Sequence, residues 1–176
     1  EAMTPVPFMT VSARPAEPQD IRDLERLYAG LASEQRAIRP IWPYTDGVPE
    51  PIGRSLSTLL ERPDGIVVLG HIDHVPLGFL VGVEQPLLAP MAHRTIGVIQ
   101  LIFTDHEARG VGVGAAMLHA AMEEFRKRGI DLFDAQVSPG HRMAKNFFES
   151  NGFKARSITM YRGESEIAPA PIEPLI

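Results

Sequence analysis

The run Ala108-Arg109-Gly110-Val111-Gly112-Val113-Gly114-Ala115 constrains this chain more than any other segment, because it joins an apolar run to an amphipathic helix through alternate glycines. Glycine lets backbone come close to a ligand, the first amides of a helix lack internal partners, and the helix dipole favours negative charge. Such a junction is built to hold an anion, and a phosphorylated cofactor is the class it points to. Without a ligand it would be only a tight strand-to-helix turn.

The flanks define the rest of the reading. Upstream, Thr95 to Thr104 is nearly continuously apolar with several β-branched residues, as in a central strand covered on both faces. Downstream, a helix from about Gly112 to Arg128 turns Val113, Met117, Ala120, Ala121 and Phe125 inward and closes with Arg126-Lys127-Arg128-Gly129. Earlier in the chain, Thr10 to Arg14 reads as a strand. It is followed by a helix opening near Pro18, with Ile21, Leu24, Leu27, Tyr28 and Leu31 at helical spacing. Pro40-Ile41-Trp42-Pro43-Tyr44 reads as an aromatic loop and Ser55 to Leu60 as a short helix. Ile66 to Gly70 and Leu77 to Val83 form a hairpin around Asp73-His74. A strand over Ile130 to Val137, a helix bearing Met143, Ala144, Phe147 and Phe148, and last strands at Phe153 and Ser157 to Arg162 complete the order. The run of consecutive strands argues for an α/β sandwich with a mixed, mostly antiparallel central sheet flanked by helices, rather than an alternating doubly wound sheet. One domain over 10–163 is expected, with an N-terminal tail at 1–9 and a Pro-rich C-terminal tail at 164–176.

Composition narrows the function classes. Net charge is −5 with no basic block of the kind that tracks a phosphate backbone, so no nucleic-acid partner is expected. The absence of cysteine removes disulfides, thiolate nucleophiles and thiolate metal sites, and no metal-ligand spacing stands out. No apolar run approaches the ~20 residues of a membrane span and no signal-peptide order is visible, so a cytoplasmic protein without membrane contact is expected.

Three phosphate-binding patterns compete for the junction. A Walker loop needs Lys and Ser/Thr after its last glycine, whereas Ala115-Ala116 follow Gly114. Gly110, Gly112 and Ala115, with Asp131 further on, match the dinucleotide fingerprint, but too little chain follows Asp131 to complete such a domain. The third pattern is Arg109-x-x-Gly112-x-Gly114 after a long strand. With the Val11-Ser12-Ala13-Arg14-Pro15 opening, Asp20 entering the first helix, the hairpin, Ile102-Phe103-Thr104, and Ala144 to Phe148 leading to Gly152-Phe153, the chain resembles the GNAT superfamily of acyl-CoA-dependent N-acyltransferases from about Thr10 to Gly163.

That resemblance implies acetyl-CoA as co-substrate. The backbone of Gly110, Val111, Gly112, Val113 and Gly114 would cradle its pyrophosphate, with Arg109 supporting the loop. The pantetheine arm would lie along Ile102, Phe103 and Thr104. It implies direct attack by a primary amine, small-molecule or peptide, and places Trp42, Tyr44 and Gln100 at the acceptor. Two family positions differ here: a tyrosine that protonates the departing thiolate is Phe148, and a cofactor-contacting asparagine is His141. Ser138 is the leading substitute for the acid. The middle of the central strand has no carboxylate, which leaves Glu84 and His93 as candidate bases. His71 and His74 are expected at the surface and His119 in a structural role. The competing class is a non-catalytic acyl-CoA-binding or regulatory module. A homodimer is expected from the apolar end Leu175-Ile176.

Overall fold

The computed structural model describes residues 8–165. One sheet carries five strands in the order β1-β2-β3-β4-β5: β1 Val11–Pro15, β2 Gly65–Ile72, β3 Val75–Pro86, β4 Thr95–Thr104 and β5 Phe133–Ala135. The first four are antiparallel neighbours and β5 runs parallel to β4, giving the expected mixed, mostly antiparallel sheet. The helices are α1 Ile21–Ile38, the single turn α2 Trp42–Thr45, α3 Ile52–Glu61, α4 Val113–Lys127 and α5 Arg142–Ser150.

Strand alternation sorts the core into two layers. Val67, Leu69, Phe79, Val81, Leu101 and Phe103 face α1 and α3, meeting Leu24, Leu27, Leu31 and Leu56. Val68, Leu80 and Ile99 face the other way, onto Val113, Met117, Ala121 and Phe125 of α4 and Phe148 of α5. The seat of α4 is cut by small residues. A Cβ at Gly70 or Gly78 would lie 2.6–2.9 Å from Val113, Met117 or the Phe103 carbonyl, and one at Gly82 or Gly97 would lie 2.8–3.1 Å from the Phe125 ring. The helix therefore beds into the sheet, which sets where its N-terminus emerges. The hairpin turns at Asp73 (φ 55°), a residue type that tolerates the left-handed region. Its carboxylate and amide close a two-way bridge to the backbone of Thr10.

Five expectations are corrected. The Pro40 to Tyr44 loop contains the helical turn α2, with Pro43 near its start where a missing amide costs nothing. The strand expected over Ile130 to Val137 contracts to Phe133–Ala135, because β4 offers it partners only from Gly97 to Ile99. Ser157 to Arg162 is no strand: its β-rich residues are exposed, with no ladder partner among the described residues. Phe153 is likewise unpaired as a strand and instead stacks edge-on against Phe148 at 5.2 Å. His71 is buried rather than at the surface; burial, with Arg14 adding to it, pushes its imidazole pKa below the ordinary value. The Leu175-Ile176 end lies outside the described residues.

Candidate functional site

At the C-terminal end of β4 the chain makes a turn of 3₁₀ helix at His106–Ala108, runs extended through Arg109, and enters α4 at Gly112. Gly110 (φ 81°) and Gly112 (φ 99°) both hold left-handed backbone, and nothing lies within 4 Å of where a Cβ would sit on either. Their requirement for glycine is conformational, and the space above them is open. The first helical bond runs from the Ala116 amide to the Gly112 carbonyl, so the amides from Gly110 to Ala115 have no backbone acceptor among the described residues. Gly114 has a different role, since its Cα lies against α5 with Phe147 3.2 Å from a would-be Cβ. Val111 is exposed, while the Val113 side chain is core and offers the site only its backbone.

Beside this loop the sheet splits. β5 pairs with β4 at Gly97, Val98 and Ile99, and one further bond joins the Gln136 amide to the Ile99 carbonyl. Beyond that point β4 carries a bulge at Gln100, where the register against β3 slips between Val81 and Gly82. From Gln100 to Thr104 the β5-facing edge of β4 has no strand partner among the described residues, an opening of about 13 Å at ~3.3 Å per residue. A cleft of about 350 Å³ lies at the root of the split, walled by Gln100, Leu101, Gln136, Val81 and the segment Thr45 to Pro49. Asp46 lies in that wall. Its Oδ2 is held by Arg39 and by the Thr45 hydroxyl, leaving Oδ1 without a partner among the described residues. The neighbouring Arg39 Nε is buried and without a partner among the described residues.

Arg109 does not point outward. Its Nε donates to the Thr104 carbonyl at 2.9 Å, its two terminal nitrogens donate to the two oxygens of Glu34 at 2.9 Å each, and its guanidinium lies over the Phe103 ring. Burial would raise the Glu34 pKa, but the Arg109 hydrogen bonds and charge outweigh it, aided by His141 and His106, and hold the carboxyl below the ordinary value. His141 caps α5, its Nδ1 accepting from the Ala144 amide at 2.9 Å. That bond places the proton on Nε2, which lies 3.6 Å from Glu34 Oε1. An imidazole acceptor thus does the capping work available to an asparagine carbonyl. Glu34 joins the end of β4, the glycine loop and the start of α5 at one carboxylate.

The other sequence candidates separate. Ser138 donates to Gln35 Oε1 at 2.6 Å, so its proton is already committed to a buried amide. Glu84 is displaced from the acceptor: strand alternation puts it on the α4 face with Leu80 and Gly82, paired with Arg128 at 3.4 Å in a separate cleft with His93. Trp42 is corrected to core, 4% exposed and tilted against Tyr28 at 6.2 Å. Tyr44 is exposed and next to the cleft-lining Thr45. Phe148 is buried between Phe147 and Phe153. Ile102 and Phe103 lie along the open edge, whereas the Thr104 carbonyl is taken by Arg109. Sequence reasoning missed Glu34, Gln35, Asp46 and Gln136. Only Gln35 left a trace, as a polar residue continuing the buried stripe of α1.

The chain matches the model of the Acetyltransferase (GNAT) family over residues 23–153. It is 26% identical over 100 residues to an uncharacterised N-acetyltransferase of Methanocaldococcus jannaschii, a match covering 57% of this chain and 44% of that protein. It spans less than half the length of the curated relatives it matches. Among solved structures it is similar to a transcriptional regulator from Bacillus halodurans, at TM-score 0.71 and 21% identity over 88% of this chain and 99% of that one. It is also similar to an aminoglycoside N-acetyltransferase solved with CoA, at TM-score 0.70 and 14% identity over 93% of this chain and 100% of that one. Both structural similarities concern the fold.

Proposed function

The chain belongs to the acetyltransferase (GNAT) family, and from that premise we propose that it moves an acetyl group from acetyl-CoA to the nitrogen of a primary amine, on a small molecule or a peptide, by direct attack. The observation that carries this reading is the unpartnered edge of β4 from Gln100 to Thr104, running from a loop of free amides to a polar-walled cleft. The residues fit the cofactor. Open space over Gly110 and Gly112 accommodates a diphosphate against the amides of 110 to 115, and the backbone of Ile102 can pair with an amide-bearing arm as with an added strand, while the Phe103 carbonyl is turned to Gly78 of β3. When bound, the cofactor supplies a thioester whose leaving thiol has a pKa near ~8.5, so departure needs little help from an acid.

The protein's own part is mostly positioning. Arg109 and Glu34 hold the loop, and Gln100 and Gln136 offer amides in the lining of the cleft. Asp46 draws a cationic amine and takes its proton at Oδ1, which restores the neutral nucleophile the attack requires. CoA release from acetyl-CoA with a panel of amines tests the reaction. For Asp46→Asn the expected result is a KM for a cationic amine raised about tenfold, roughly 1.4 kcal/mol, with acetyl-CoA affinity unchanged. An unchanged KM removes Asp46 from the acceptor site. Buried Phe148 and the committed Ser138 proton favour one other reading, a non-catalytic acyl-CoA-binding module. Acetyl-CoA binding with no turnover across the panel selects that reading.

A further inference from the structure

We propose that Tyr28 is a positioning residue for the acceptor: its hydroxyl, buried behind the wall of the cleft, fixes Gly47 and Val48 and through them the carboxylate of Asp46. The inference rests on the acetyl-transfer reading and on the place of Asp46 in it. Tyr28 belongs to the buried stripe of α1, is 5% exposed, and is not among the residues that line the cleft. What it touches is the back of the segment Thr45 to Pro49, which does line it.

Beyond the end of α2 that segment belongs to no helix or strand, so its shape depends on individual anchors. The amides of Asp46 and Gly47 both donate to the Trp42 carbonyl, at 2.8 and 3.1 Å. The Val48 amide turns inward instead and donates to the Tyr28 hydroxyl at 3.0 Å. Asp46 is thus bracketed, by a bond to α2 on one side and a bond to α1 on the other. Its side-chain contacts do not replace this bracket. Arg39 reaches its Oδ2 from the end of α1 by a long side chain, and Thr45 is its chain neighbour, so neither bond fixes the backbone that carries the carboxylate.

Gly47 shows how closely the wall is fitted to the hydroxyl. A Cβ there would lie 2.8 Å from the Tyr28 oxygen and 2.8 Å from the Pro43 carbonyl, nearer than Cβ contacts come, so only glycine lets the backbone close over the phenol. The ring has a separate role: it packs with Leu24, Leu27 and Leu56 in the core and lies against Trp42. Tyr28→Phe therefore separates the two, keeping the packing and removing the acceptor of the Val48 amide.

The test is steady-state kinetics of the whole protein, with acetyl-CoA and the fastest acceptor from the amine panel, on the unmodified chain, Tyr28→Phe, Asp46→Asn and the double variant. Positioning predicts that Tyr28→Phe raises the amine KM about fivefold, as loss of one neutral hydrogen bond does, with kcat within about twofold and acetyl-CoA affinity unchanged. Because the hydroxyl acts through Asp46, the double variant keeps the KM of Asp46→Asn, whereas independent effects would multiply. Hydrogen exchange reads the anchor without turnover: the Val48 amide exchanges about tenfold faster in Tyr28→Phe, while the Leu24 and Leu27 amides keep their rates. A KM that Tyr28→Phe leaves unchanged, where Asp46→Asn raises it, overturns this proposal alone. So does an effect that multiplies with that of Asp46→Asn, or a Val48 amide that exchanges as in the parent. Failure of the underlying reading looks different: Asp46→Asn leaves the KM unchanged, or the unmodified protein acetylates no amine, and either outcome overturns the proposal together with that reading.

Discussion

Glu34 links more of the site than any other side chain, because one carboxylate holds both the arginine under the glycine loop and the histidine that caps α5. Both members of the Arg109–Glu34 pair are mostly out of water, so removing one leaves a charge uncompensated. Glu34→Ala is expected to cost about 3 kcal/mol of unfolding free energy and to weaken acetyl-CoA binding about tenfold, read by denaturant titration and calorimetry. Because its folded pKa is lowered, the carboxylate's contribution is complete above the unfolded value near ~4.3. It is lost as pH falls through the lower folded value. Glu34→Gln should therefore flatten the acid limb of the stability curve. At Gly112 the demand is conformational: Gly112→Ala meets no neighbour but must hold φ near 99°, at a cost of about 1–2 kcal/mol. Loss of acetyl-CoA affinity beyond that of an equally destabilised core variant would show that the loop conformation itself binds.

Among the elements, α4 carries the site, and its placement is set by the glycines beneath it. Gly97→Val would drive two methyl groups toward the Phe125 ring, already within 2.8–2.9 Å of a would-be Cβ, in a core that can give little. We expect a loss of roughly 3 kcal/mol or more, and acetyl-CoA affinity lowered although Gly97 lies at the far end of β4. Unchanged affinity in the folded fraction would mean that the loop does not depend on where α4 beds. The elements that carry their own periodicity were legible in the chain. Thr95 to Thr104 is β4 at both ends, and the stripe Leu24, Leu27, Tyr28, Leu31 gives the buried face of α1. What was not legible depends on partners distant in sequence. Ser157 to Arg162 has the residues of a strand but no ladder to join among the described residues. Glu84 and Gln100 look equally polar, yet alternation sends Glu84 through the sheet to Arg128 while a bulge turns Gln100 to the cleft. Trp42 looks like a ligand-binding aromatic until Tyr28 packs against it. The glycine loop was readable because backbone conformation there is written in residue type, whereas Glu34 is defined only by what meets it.

For the molecule as a whole, buried titrating groups give stability a stepped dependence on pH. His71 resists protonation in the folded state because it is buried, so the unfolded chain alone takes up that proton as pH falls below about 6.5. Asp20, held as a carboxylate by its hydrogen bonds from Arg14, and Glu34 add a second loss below about 4. Chemical denaturation is expected to show constant stability above pH ~6.5 from these groups, a shallow decline below it and a steeper one in acid. A decline already complete above pH 6 would show that other groups dominate. The central claim is that the split sheet and glycine loop form an acetyl-CoA site, and calorimetric titration of the whole protein with acetyl-CoA, with NAD as control, tests it most directly. The account predicts micromolar binding of acetyl-CoA and no response to NAD. No heat with acetyl-CoA, or an equal response to both, would contradict it and leave the glycine junction as a structural turn.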